Sequence, residues 1–154
     1  MGMWGKVIMN ILEIVERLRS SDNKIAYQAL KELDAESEKS NSVYQYMDTF
    51  IEMINDDNSY IRTRGILLIA ANSRWDIAFK IDEIIDKYLL HIMDEKPITA
   101  RQCIKVLPTV AQYKPDLKED IISALMNANT LIYADSMQPL VYKDIVSAIK
   151  KIKM

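Results

Sequence analysis

Almost every stretch of this chain spaces its apolar residues for a helix, and no other feature constrains the fold as much. Ile8, Ile11, Leu12, Val15 and Leu18 recur at steps of three and four. So do Ile77, Ile81, Ile84, Ile85, Tyr88 and Ile92, and then Leu117, Ile121 and Leu125. Val141, Ile145, Ile149 and Ile152 follow nearly the same rule. Such spacing lays one apolar stripe along a helix. No comparable stretch keeps the strict alternation of a half-buried strand. Glycine supports the same reading. There are only three, Gly2, Gly5 and Gly65, whereas turn-rich β architectures and phosphate-cradling loops need glycine in numbers.

Polar punctuation separates the apolar segments. Ser20-Ser21-Asp22-Asn23 precedes one helix and Asn55-Asp56-Asp57-Asn58-Ser59 another. Ser73 stands three residues before Asp76, a variant of the capping box. Pro97, Pro115 and Pro139 fall near helix starts, where a missing N–H costs nothing. Helices are predicted over about 5–19, 24–38, 42–54, 59–72, 76–93, 97–112, 116–127 and 138–152. Pro108 falls inside the sixth and is expected to kink or split it.

These segments group as four pairs, and the second helices of the first three open alike. Asp22-Asn23-Lys24-Ile25 is followed by Ala29, Asp57-Asn58-Ser59-Tyr60-Ile61-Arg62 by Gly65, and Asp94-Glu95-Lys96-Pro97-Ile98-Thr99 by Cys103. Ile61 follows Ile25 by 36 residues, and Ile98 follows Ile61 by 37. A two-helix repeat of this length is the signature of an α-solenoid.

The order Asp57, Ile61, Arg62, Gly65 resembles the HEAT-like (armadillo-type) α-helical repeat. In that family an Asp caps the second helix, an apolar residue and Arg follow, and a small residue lets the paired helices approach. Repeat one has Ala26 in place of the Arg, and repeat three has Thr99. The fourth pair keeps the plan but loses the motif. The resemblance implies an all-α fold, a right-handed α-α superhelix of about four helix hairpins. The approximate repeats are 5–38, 42–72, 76–112 and 116–152, in a single domain over 1–154.

Of the candidate chemical groups, most read as structural. Gly65, aligned with Ala29, is expected to serve close helix packing. Cys103 is the only cysteine and His91 the only histidine. Neither has the partners of a nucleophilic site or a zinc site, so Cys103 is expected to be a buried small residue. The pairs Asp56-Asp57, Asp82-Glu83 and Glu119-Asp120 are adjacent in sequence. Neighbouring helix residues do not point the same way, so caps and solvated faces account for them. Tyr46 and Phe50 read as core. Trp75, in a turn, is expected to cover the core edge, whereas Trp4 is a candidate anchor for a partner. No catalytic residue, cofactor or metal is expected.

Charge is divided by helix although the net charge is only −2. In repeats two to four the first helices are net acidic: 42–54 carries Asp48 and Glu52, 76–94 five acids against Lys80 and Lys87, and 116–127 Asp116, Glu119 and Asp120 against Lys118. The second helices are net basic, with Arg62 and Arg64, then Arg101, Lys105 and Lys114, then Lys143, Lys150, Lys151 and Lys153 against Asp144. The resemblance implies that this second layer lines a concave face. Arg62, Arg64, Arg101, Lys105, Lys143 and Lys150, with Trp4, are therefore the candidate partner-binding residues. The expected function is a non-enzymatic scaffold or adaptor for an unidentified protein partner.

The alternative is nucleic-acid binding through the basic layer. A further possibility is a DNA glycosylase of the alkylation-repair HEAT-like type. The sequence shows no obvious aromatic cluster on the second helices to support that one. A single cysteine suits the reducing cytoplasm. No apolar run approaches the roughly 18 residues that span a membrane, and the N-terminus has no clear signal-peptide pattern.

Overall fold

A computed structural model describes residues 10–154. Within them the chain is all-α, with eight α-helices, short 3-10 turns and no strand. They are α1 (Ile11–Arg17), α2 (Asn23–Lys39), α3 (Met47–Met53), α4 (Ser59–Ala71), α5 (Lys80–Leu89), α6 (Pro97–Tyr113), α7 (Lys118–Met126) and α8 (Gln138–Lys153). No described helix is long and apolar enough to cross a membrane.

The second helices start where their polar turns direct them. Asp22 caps α2 by accepting from the Lys24 and Ile25 amides at 2.9 and 3.4 Å. The cap of α4 is Asn58 rather than Asp57, and it accepts from the Tyr60 and Ile61 amides. Asp56 in turn accepts from the Asn58 amide at 2.8 Å. Pro97 occupies the first turn of α6, where its missing donor would be unpaired in any case.

The first helices α3, α5 and α7 are shorter than their apolar spacing suggests, and the start of the first expected helix, 5–19, lies outside the described residues. α3 is preceded by a 3-10 turn over Tyr44–Tyr46, and α7 by one over Pro115–Leu117. α5 also starts late, at Lys80 rather than near residue 76. Phe79 adopts a left-handed conformation with φ of 56° and breaks the run. The Asp76 carboxylate then caps from a distance, accepting from the Lys80 and Ile81 amides at 3.0 Å each. Ile77, which the helical spacing assigns to the core stripe, is consequently 87% exposed. α6 runs unbroken through Pro108, so the expected split does not occur.

Each second helix packs on the next, α2 on α4, α4 on α6 and α6 on α8. α1, α3 and α7 pack on their own partners α2, α4 and α8. One apolar cluster connects Ile14 at one end to Ile152 at the other. Gly65 shows why a small residue is needed in α4. A Cβ there would lie 2.8 Å from the Phe50 carbonyl oxygen and 2.9 Å from the Met53 Cβ, both in α3.

Polar links join successive hairpins at about the repeat spacing. Trp75 Nε1 donates to the Ser37 carbonyl at 2.7 Å, which ties that turn against α2. Thr63 in α4 and Thr99 in α6 share a hydroxyl hydrogen bond of 2.9 Å. Tyr133 donates to the Asp94 carbonyl at 2.6 Å. These partners are 38, 36 and 39 residues apart.

Candidate partner-binding groove

α4 is apolar nearly all round because it has two working faces. Gly65, Ile66, Leu68 and Ile69 are buried. Tyr60, Thr63 and Leu67 form a second stripe at helical spacing, and they floor an open groove. α2 supplies one wall through Tyr27 and Leu30, and α6 the other through Ile98 and Gln102. This lobe measures about 960 Å³. A second lobe of about 360 Å³ continues along the same helices past Ala71, Arg74, Val106 and Thr109. The two lobes share Tyr27, Leu30 and Leu67 and so form one trough.

Large apolar groups stand open to solvent in this trough. Tyr27 is 60% exposed, Tyr60 61% and Ile98 68%. Tyr27 is shed from the core because the buried side of α2 is Ala26, Ala29, Leu33 and Ser37. Ile98 is shed because α6 buries Thr99, Ala100, Cys103 and Ile104 instead. Cations lie over the aromatic rings. Lys31 Nζ is 5.4 Å from the Tyr27 ring centre, and the Arg64 guanidinium carbon is 6.0 Å from that of Tyr60.

The candidate cations meet different fates. Arg62 is buried. Its Nε and Nη2 donate to the two Asp94 oxygens at 3.0 and 2.7 Å, and its Nη1 donates to the Asp56 and Asp57 carbonyls. Arg64 is also buried, and it donates to the Leu18 carbonyl and to Asn23 Oδ1. It is the only one of the six to line the groove. Arg101 Nε donates to Asp144 of α8 at 2.6 Å. Lys105, Lys143 and Lys150 are exposed but lie outside the groove. Trp4 lies outside the described residues. Arg62 and Arg64 therefore serve internal contacts rather than a free basic surface, because their long side chains reach unpaired carbonyls and caps at the adjoining turns.

The most perturbed ionisable groups are structural. Burial pushes the Asp94 carboxyl up, but hydrogen bonds from His91, Arg62 and the Lys96 amide outweigh it. The net effect holds its pKa far below the usual carboxylate range. Asp76 is likewise buried and yet depressed, by Tyr44, the Ile81 and Lys80 amides, and Lys114. Lys114, counted by sequence among the second-helix cations, is buried with its Nζ 3.1 Å from Asp76 and 2.6 Å from Asp82. Cys103 is fully buried in α6, and desolvation pushes its thiol upward, away from nucleophilic chemistry. Among the described residues no group of three or more His, Cys, Asp and Glu side chains is placed to hold a metal ion.

The sequence reading missed Tyr27, Tyr60 and Ile98, and with them the aromatic pair on the second helices. Their one signal is position. Each is a large apolar residue standing off the stripe that its helix buries. No family model, curated protein or solved structure matches this chain.

Proposed function

We propose that this protein is a non-enzymatic binding module, a short right-handed superhelix of the HEAT-like kind whose second-helix layer receives a segment of a partner protein. The observation that carries the reading is the trough along α4, with Tyr27, Tyr60 and Ile98 exposed in it. Aromatic and aliphatic side chains in a concave site are the usual anchors of an interface. The repeat-spaced links between hairpins support the superhelical part of the reading. A single buried thiol fits a reducing compartment, and the reading sets the module in the cytoplasm.

The phosphate-binding alternative has less to draw on. Of its six cations, Arg62 and Arg64 are buried and Arg101 is paired, which leaves Lys105, Lys143 and Lys150 exposed and without an ion pair among the described residues. The experiment is selection of displayed random peptides of about 15 residues on the full chain, a length that spans the groove as a helix. Enriched peptides should lose binding to Tyr60→Asp and Ile98→Asp variants. Peptides indifferent to both substitutions, or no enrichment, would refute the groove as the site. Salt-sensitive duplex DNA binding that is lost on Lys105→Glu with Lys143→Glu would favour phosphate recognition instead. Base release from alkylated DNA would favour the glycosylase.

A further inference from the structure

The trough is long, and its charges differ from end to end. α4 and the turn after it floor the trough from Ser59 to Arg74, which at a helical rise is about 22 Å. That length holds about four turns of helix or about seven residues of extended chain. α2, α4 and α6 each present their N-terminal residues to one lobe and later residues to the other. The three helix starts therefore lie at the same end, where their dipoles add positive potential.

Side chains reinforce that asymmetry. Lys24 and Lys96 line the lobe at the helix starts, and both are exposed. Asp34 and Glu38, one turn apart on α2, line the far lobe. Neither carboxylate makes an ion pair with a described residue. Lys31 and Arg74 line the same far lobe, so its side-chain charges balance, while Lys24, Lys96 and Arg64 leave the lobe at the helix starts net positive. Both far-lobe cations are turned to other groups. Lys31 lies over the Tyr27 ring, and the Arg74 guanidinium lies 5.0 Å from the Tyr113 ring centre. Partial burial and the neighbouring Glu38 push the Asp34 carboxyl up, with Arg74 offsetting some of this. A cation brought in by a ligand would relieve both costs.

Resting on the groove reading above, we propose that the occupant is a charge-polarised segment of a partner protein. Its acidic end meets Lys24 and Lys96, its aliphatic middle covers Tyr27, Tyr60 and Ile98, and a Lys or Arg at its other end meets Asp34 and Glu38. The apolar middle supplies affinity, and the ends fix direction. A uniformly acidic segment would set its far end against Asp34 and Glu38. A uniformly basic one would set its near end against Lys24 and Lys96. The arrangement therefore selects by repulsion as well as attraction.

The test uses the peptides enriched on the full chain whose binding depends on Tyr60 and Ile98. Their sequences should separate acids and bases to opposite ends of an apolar centre. Lys24→Glu with Lys96→Glu should weaken them about tenfold. Exchanging the acidic end of the peptide for lysines should restore binding to that variant and not to the native chain. Asp34→Lys with Glu38→Lys should act in the same way on the basic end. All four positions are exposed, and thermal melting checks that each variant is folded. Groove-dependent peptides with no charge polarity, or with affinity unmoved by both reversals, would overturn this inference and leave the groove standing. Peptides that bind independently of Tyr60 and Ile98 would remove the groove and this inference together.

Discussion

On one side of α4, Gly65, Ile66 and Ile69 are sealed in the core, and Arg62 is held by Asp94. On the other side, Tyr60, Thr63 and Leu67 face an open trough. Residue types barely distinguish the two faces, since both are apolar with an arginine at the margin. What differs is the neighbourhood. The buried face meets α3 within van der Waals contact at Gly65, whereas the open face has a wall on either side and nothing described above it. A central helix with two apolar stripes therefore has a structural use for one and leaves the other open to a partner.

Breaking the buried face should cost most. Asp94→Ala leaves the Arg62 guanidinium buried without its carboxylate. Urea unfolding should show a loss of about 4 kcal/mol. Gly65→Leu forces α3 and α4 apart at backbone atoms, with an expected loss of about 3 kcal/mol by the same measurement.

Acid should act on the same face. The folded-state pKa values of Asp94 and Asp76 are depressed. Their contribution is therefore fully present above the unfolded carboxylate value of about 3.9 and is lost as pH falls through the folded values. Unfolding free energy should decline below about pH 4. The decline should be shallower in Asp94→Asn, and an acid limb unchanged by that substitution would remove Asp94 from the account.

Smaller effects should mark the partly open contacts. Arg101 and Asp144 are only partly buried, so Arg101→Ala should cost less than about 1 kcal/mol. The open face should tolerate most. Ile98→Asp adds an acid to the first turn of α6, where the helix dipole favours it. Its melting should shift by no more than about 0.5 kcal/mol in stability while groove-dependent peptides are lost.

The helical content and the second-helix starts were legible because capping and helical spacing are local. Asp22, Pro97 and the 36- and 37-residue steps between Ile25, Ile61 and Ile98 all read directly from the chain. The start of α5 was not, because Phe79 takes a left-handed conformation that glycine usually fills. The site was less legible than the fold. Counting charges by helix treats Arg62, Lys114 and Lys105 alike, yet the first two are buried in ion pairs and the third is exposed. Which cation finds an internal carboxylate depends on neighbours about one repeat away, such as Asp94 for Arg62 and Asp76 for Lys114. The stripe through Tyr60 and Leu67 was hidden for the same reason. Only the packing order of α2, α4 and α6 determines which apolar face stays uncovered.

The most direct measurement of the groove reading is a map of backbone amide chemical shifts in the full chain as a selected peptide is titrated in. The account predicts changes concentrated at Tyr27, Tyr60, Leu67 and Ile98, with little at Lys105, Lys143 and Lys150. Changes confined to those three lysines, with the α4 groove silent, would contradict it.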